Sequence, residues 1–185
     1  MKTVKMLPLA MAVVAALCPI SVLAQDFTQE QIEEAEKYAR IDVMQLQYSM
    51  VHQKHKALIE WGSQRGIDTF TYGSLGAGIL SGKFRTLPPL KPGDTRITFY
   101  DYFKEPKFSK IQNVLQVMDE IAACHQASVS QVAINWCTQS PGVSTALIGM
   151  SKPAHVRQNC DAFAWQLSDD EMTRLDAAME REKIA

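Results

Sequence analysis

The chain has 185 residues, of which 46% are hydrophobic and 21% charged, and its formal net charge is −1 at pH 7. These fractions are those of an ordinary globular protein, and the length allows one domain. A net charge near zero argues against a protein that binds nucleic acid or an acidic membrane surface.

The first 24 residues differ in composition from the rest of the chain. Lys2 and Lys5 precede an apolar run that ends with Val22 and Ala24, at the spacing of a small-residue cleavage site. This pattern predicts a secretory signal peptide over residues 1–24 and a domain over residues 25–185. We therefore expect a periplasmic or secreted protein if the leader functions and a cytoplasmic one otherwise. After removal of the leader we expect no attachment to a membrane.

Helices and strands are predicted to alternate along the chain. Capping boxes at Thr28, Ser128 and Ser168 mark three helix starts, and apolar residues at helical spacing predict a long helix from about Ser109. The predicted order is a helix at 29–40, strand 41–48, helix 55–66, strand 67–72, a loop at 85–108, the long helix, helix 129–140, strand 143–149, and helices 153–162 and 169–180.

Short apolar strands that alternate with helices favour an α/β fold with parallel strands buried on both faces. A closed barrel of eight such units needs about 250 residues, and the chain after the leader holds roughly 160. The sequence is therefore long enough for only part of such a barrel.

Three cysteines follow the leader, Cys124, Cys137 and Cys160, an odd number at wide spacing. They fit neither a disulfide framework nor a zinc site, so we expect no metal and interpret all three as buried thiols.

Four glycines and a lysine stand together in TYGSLGAGILSGK, residues 71–83, directly after a predicted strand. The Walker A pattern fails because Ala77 stands at its first glycine and Phe84 at its Ser or Thr. The dinucleotide pattern G-x-G-x-x-G fails because Ser81 stands at its third glycine. A glycine cluster after a strand is left to be explained.

Five segments, in order and at matching spacing, resemble the C-terminal half of the aldo/keto reductases. They are FTQEQIEEA, MQLQYS, TYGSLGAGILSGK, SVSQVAINWC with PGVSTALIGMSKPAHVRQN, and WQLSDDEMTRLD. The resemblance runs from residue 27 to about 179, and the loops are most similar to the potassium channel β-subunit branch. It implies a partial (β/α)8 TIM barrel, made of roughly the last three βα units plus the C-terminal helix.

The resemblance also implies a site for NADP(H). The glycines would let backbone amides approach the pyrophosphate, and Tyr72 would stack on the nicotinamide. Lys83 and Arg96 would contact phosphate, and the loop after the last strand would hold the adenosine end. His155 stands where relatives use Arg or Gln, which leaves the choice between NADPH and NADH open. The implied cofactor-binding residues are Gln45, Tyr72, Gly73, Ser74, Leu75, Gly76, Gly78, Lys83, Arg96, Gly149, Ser151, His155, Gln158 and Asn159.

The family's catalytic Asp, Tyr, Lys and His come from its first four strands, and the resemblance here begins after the fifth. We therefore assign no catalytic residue. Three strands of a barrel would leave two open edges and part of a barrel core facing water, so we expect self-association or a complementary N-terminal half as partner. Three interpretations stay open: an oxidoreductase of aldehydes or ketones once completed, an inactive NADP(H)-binding or interaction module, and a remnant without function.

Overall fold

The computed structural model describes residues 27–184, and this part of the chain divides into two units at the boundary between Asp42 and Val43. The predicted leader lies outside the described residues. In the first unit, α1 (Gln29–Glu36) begins at the predicted capping box. The Gln31 N–H donates to Thr28 Oγ1, and the Thr28 N–H donates to Gln31 Oε1. The helix ends at Glu36, four residues before the predicted end at Arg40.

The second unit contains the sheet and the remaining helices. Its elements are β1 (Val43–Gln47), α2 (Lys56–Gln64), β2 (Asp68–Tyr72), α3 (Thr95–Phe99), α4 (Lys107–Cys124), α5 (Val129–Gln139), β3 (Thr145–Leu147), α6 (Pro153–Cys160) and α7 (Asp169–Glu182). Short 3₁₀ helices lie at Gly76–Ser81, Asp101–Phe103 and Asp161–Ala164. The described strands form one parallel sheet in the order β1-β2-β3. The predicted parallel α/β arrangement is therefore confirmed for these strands.

The two faces of the sheet differ in burial. Met44, Leu46 and Thr71 are buried, whereas the alternate positions Val43 and Leu147 are 44% and 40% exposed. Successive side chains of a strand point to opposite faces, so helices cover one face, and the part of the chain that the structure describes leaves the other face open. The prediction of strands buried on both faces is therefore wrong for this structure.

The long helix α4 supplies the centre of the core. Its predicted apolar face is confirmed, with Ile111, Val114, Leu115, Met118 and Ile121 all fully buried. α4 packs against α5 and α7. The described residues contain no helix whose length and hydropathy would suffice to cross a membrane.

The segment predicted as a loop over 85–108 contains α3 and a 3₁₀ turn. Asp94 caps α3 by accepting a hydrogen bond from the Arg96 N–H. A helix of five residues is too short to show a periodic pattern, which explains why it was not predicted.

Candidate functional site

The Gly-rich loop, residues 73–83, follows β2 directly and contains a kinked 3₁₀ helix. Gly73, Gly76 and Gly78 have φ values of +74°, +55° and +88°, in the left-handed region that favours glycine. At Gly76 a Cβ atom would lie 2.6 Å from Val51 Cγ2. This position therefore requires glycine for both its backbone conformation and its close packing.

Hydrogen bonds within the loop hold its shape. The Gly76 N–H donates to the Gly73 carbonyl at 2.8 Å, and the Gly78 N–H donates to the Leu75 carbonyl at 3.0 Å. Ser81 Oγ donates to the Gly78 carbonyl at 2.7 Å. The family resemblance implies that the amides of Gly76 and Gly78 approach a phosphate, but in this structure both donate within the loop.

Ser74 points into the protein. The residue is 2% exposed, and its Oγ accepts a hydrogen bond from Cys137 Sγ at 3.6 Å. The hydroxyl therefore anchors the loop to α5.

The two predicted phosphate-binding cations meet at one aromatic ring. Lys83 Nζ lies 5.5 Å and Arg96 Cζ 5.2 Å from the centre of the Phe84 ring. The Phe84 ring packs edge-on against Phe103, with ring centres 5.4 Å apart. The structure thus brings Lys83 and Arg96 together, although thirteen positions separate them in the sequence.

Asp94 neutralises one of these cations. Arg96 Nη2 and Nε donate to the Asp94 carboxylate at 2.5 and 2.9 Å. These hydrogen bonds from the Arg96 side chain, with a further one from its backbone, lower the pKa of Asp94 to about 2. Arg96 therefore faces a carboxylate that stays ionised at any physiological pH.

Gln45 and Tyr72 lie on the open face of the sheet. In the strand register, Gln45 pairs with Phe70, whereas Tyr72 pairs with Gln47 on one side and Leu147 on the other. Gln45 is exposed and Tyr72 is half-buried. An amide and a phenol ring are therefore presented on one surface, two residues apart along neighbouring strands.

The loop after β3 leaves the sheet at the same end as the Gly-rich loop after β2, because β2 and β3 are parallel neighbours. Gly149 and Ser151 are exposed, and a Cβ at Gly149 would meet no atom within 4 Å. His155 and Asn159 are half-buried on α6. Gln158 turns toward α5, where its Nε2 donates to Ser128 Oγ at 3.1 Å.

Two predicted buried thiols are in fact exposed. Cys124 and Cys160 are solvent-accessible, and only Cys137 of the described cysteines is buried. Cys124 and Cys160 end α4 and α6, where the helix surface turns toward solvent. Burial raises the pKa of the Cys137 thiol. In residues 27–184, no three His, Cys, Asp or Glu side chains come together as metal ligands.

Sequence patterns missed three contributors to this region: Phe84, Asp94 and Cys137. In the sequence, Phe84 stands out only as a mismatch to a magnesium-binding motif. The Asp-x-Arg spacing of Asp94 and Arg96 was the available signal for an ion pair at a helix start. The role of Cys137 depends on contacts across 63 positions, which no local pattern carries.

A three-stranded parallel sheet with helices on one face, and two loops at the carboxyl ends of its strands, defines an α/β domain with a parallel sheet. A model of the Aldo/keto reductase family matches residues 22–180, and the chain belongs to that family. Aldo-keto reductase YhdN of Bacillus subtilis is 24% identical over 157 residues, which cover 84% of this chain and 47% of that protein.

One further relative and one solved structure are similar to this chain. The chloroplastic pyridoxal reductase of Arabidopsis thaliana is 32% identical over 113 residues, 61% of this chain and 29% of that protein. The structure of glycerol dehydrogenase AKR11B4 from Gluconobacter oxydans is similar with a TM-score of 0.79 and 24% identity, over 86% of this chain and 49% of that one. The chain thus spans less than half the length of each of these relatives.

Proposed function

We propose that this chain is the nucleotide-binding part of an oxidoreductase that reduces aldehydes or ketones with NADP(H). One observation carries the proposal: the Gly-rich loop and the loop after β3 both leave the sheet at the carboxyl ends of its strands. A dinucleotide can contact both loops only under that condition. The proposal would have failed on a sheet with antiparallel β2 and β3.

The residues at this edge fit the parts of a nicotinamide dinucleotide. Tyr72 offers an aromatic ring for stacking on the nicotinamide, and Gln45 offers an amide for its carboxamide. The glycines of the loop keep side chains away from a pyrophosphate, and Lys83 supplies a positive charge beside it. The exposed segment from Gly149 to α6 would contact the adenosine end of the nucleotide.

The bound nucleotide would supply the hydride, and a side chain must supply a proton to the carbonyl oxygen. Two tyrosines of the described chain are poorly suited to this. Burial raises the pKa of Tyr48 to about 12, and its ring stacks on Trp136 with centres 5.4 Å apart. Burial also raises the pKa of Tyr102, which is 3% exposed. We therefore assign neither Tyr48 nor Tyr102 as the proton donor.

The open sheet face supports the proposal of a partner segment. Val43 and Leu147 expose apolar side chains beside Gln45, Phe70 and Tyr72, as expected for one wall of a barrel interior. We propose that an N-terminal half with the family's catalytic residues covers this face. A second copy of the chain is the competing occupant.

The buried state of Tyr48 and Tyr102 also favours a second candidate function, an NADP(H)-binding module without catalysis. The two candidates share the same nucleotide site. They differ in whether a carbonyl substrate is turned over when the sheet is completed.

Fluorescence titration of the purified chain with NADPH and with NADH tests the nucleotide site. We expect binding, and we expect Lys83→Gln to weaken it with the loss increasing at low salt. Lys104→Gln is the matched control, because Lys104 is an exposed lysine of the neighbouring segment. Equal affinity in wild type and Lys83→Gln would contradict the assignment of Lys83 to a phosphate.

An aldehyde-reduction assay then separates the two candidates. The chain is mixed with a separately purified N-terminal half of a family member that carries the first five strands. Turnover that requires both polypeptides supports the oxidoreductase. Nucleotide binding without turnover in any mixture supports the NADP(H)-binding module. Analytical ultracentrifugation of the chain alone then shows whether a second copy covers the open face of the sheet.

A further inference from the structure

We propose that Cys137 is a positioning residue for the Gly-rich loop, acting through Ser74, and that it thereby sets the affinity of this loop for a nucleotide. The positioning concerns the loop alone. The effect on affinity rests on the proposed function.

Cys137 lies at the point where three segments converge. The residue is fully buried in α5, and its Sγ lies 3.3 Å from Thr71 Oγ1 near the end of β2. The single thiol hydrogen can be donated to Ser74 Oγ at 3.6 Å or to the Tyr48 carbonyl at 3.8 Å, and both acceptors lie within reach of the sulfur. One sulfur atom therefore joins α5 to the end of β2, to the Gly-rich loop and to the segment after β1.

The contact to Ser74 fixes the loop at its start. Gly73 turns the chain with φ +74°, and Ser74 is the next residue, with its side chain directed into the core. The Gly76 N–H donates back to the Gly73 carbonyl, so the first turn closes around Ser74. Without the sulfur, Ser74 Oγ loses its described partner while it is buried. A buried hydroxyl without a partner is unfavourable, and outward movement of the loop would relieve it.

The distances suit sulfur and not oxygen. Contacts of 3.3–3.8 Å are reasonable for a thiol, whereas a hydroxyl forms its bonds near 2.7–2.8 Å. A serine at position 137 could reach one partner only if the surrounding segments moved. A valine would fill the volume of the thiol and form none of the three contacts. The two substitutions therefore separate packing from polar contact.

Amide hydrogen exchange over residues 73–83 measures the loop directly. We expect Cys137→Val to increase exchange in the loop by about 3- to 10-fold relative to the core of α4, and Cys137→Ser to give a smaller increase. Ile121→Val is the matched control, since Ile121 is fully buried in α4. This control destabilises the core without touching the described hydrogen bonds of the loop.

NADPH titration of the same variants tests the effect on binding. We expect Cys137→Val to raise the dissociation constant about 3- to 10-fold, and Ile121→Val to leave it unchanged. If Cys137→Val does not fold, Ser74→Ala removes the same contact from the other side. Its loop exchange should rise above that of Ile121→Val but less than in Cys137→Val, because no hydroxyl is left buried without a partner.

Loop exchange in Cys137→Val and Ser74→Ala no higher than in Ile121→Val would overturn the inference. Raised loop exchange with an unchanged dissociation constant for NADPH would overturn the inferred effect of Cys137 on nucleotide affinity. If the loop loosens as expected but wild type binds no nucleotide, the positioning stands and the proposed function fails.

Discussion

Tyr72 lies directly opposite Gln47 in the β1–β2 register, at the last residue pair before the Gly-rich loop. Both side chains belong to the open face of the sheet. Tyr72 is half-buried there, so part of the residue is accessible to solvent. A planar ligand that lies across the end of β2 would meet this accessible part.

Tyr72→Leu is expected to weaken NADPH binding about 2- to 10-fold, because it removes an aromatic surface for stacking. Tyr72→Phe is expected to retain most of the affinity, since the ring stays and only the hydroxyl is lost. Fluorescence titration of both variants checks this. Equal weakening by Leu and Phe would assign the contribution to the hydroxyl and contradict the stacking role.

Gly76→Ala is expected to lower the free energy of unfolding by roughly 2–4 kcal/mol, from the left-handed backbone and the contact of the new Cβ together. The Cβ would lie 2.6 Å from Val51 Cγ2. Urea denaturation measures the change. Gly66→Ala separates the two causes, because Gly66 has φ +76° and no atom within 4 Å of its Cβ position.

We expect Gly66→Ala to cost about 1–2 kcal/mol, from the backbone conformation alone. The difference between the variants then reports the packing of Gly76 against Val51. Equal losses would mean that the loop shifts freely at Gly76, contrary to the tight contact described.

Asp94→Asn is expected to strengthen NADPH binding about 2- to 5-fold at low salt, because it removes a negative charge that competes with phosphate for Arg96. Asparagine can still cap α3. Asp101→Asn is the control, since Asp101 is exposed and pairs with Lys107 rather than with Arg96. An equal gain in both variants would indicate a general effect of net charge.

The ion pair also predicts the pH range of this effect. The folded-state pKa of Asp94, about 2, lies below the usual value for aspartate, so its contribution to stability is complete above about pH 4 and is lost as the pH falls toward 2. The ratio of affinities between Asp94→Asn and wild type should therefore be constant from pH 6 to pH 8. A ratio that varies over this range would show that another group controls the pair.

The elements with strong local signals were predictable from the sequence. The capping box at Ser128 and the apolar stripe from Ile111 to Ile121 are both present, because the hydrogen bonds of a cap and the face of a helix depend on residues three or four apart. β3 is shorter than predicted, three residues instead of seven. The β propensities of residues 143–149 favour a strand, but pairing with β2 decides where the strand begins and ends.

The site was predictable only in part. Glycines suit the left-handed turns at positions 73 and 76, but Ser74 is buried in contact with Cys137, which is distant in sequence. The meeting of Lys83 and Arg96 at Phe84 likewise depends on how the segment after the loop folds back. Long-range packing leaves no periodic signal in one sequence.

Glu171→Gln is expected to destabilise the fold by about 0.5–1 kcal/mol at pH 7, a value reduced by partial exposure to solvent. Glu171 Oε2 accepts from the Ser168 N–H at 2.8 Å, and Oε1 lies 2.7 Å from His125 Nε2. Burial acts to raise the pKa of Glu171, but the hydrogen bonds from Ser168 and His125 outweigh it and lower the pKa. Glutamine preserves the capping box and loses the charge.

A lowered folded-state pKa means that Glu171 contributes stability above about pH 4.3, and that the contribution disappears as the pH falls below that value. The difference between wild type and Glu171→Gln should therefore shrink from pH 7 to pH 3.5 in urea denaturation. Asp170→Asn is the matched control, because Asp170 is an exposed acid in the same first turn of α7. A loss of equal size in both variants at pH 7 would assign the effect to the helix dipole and not to the contact with His125.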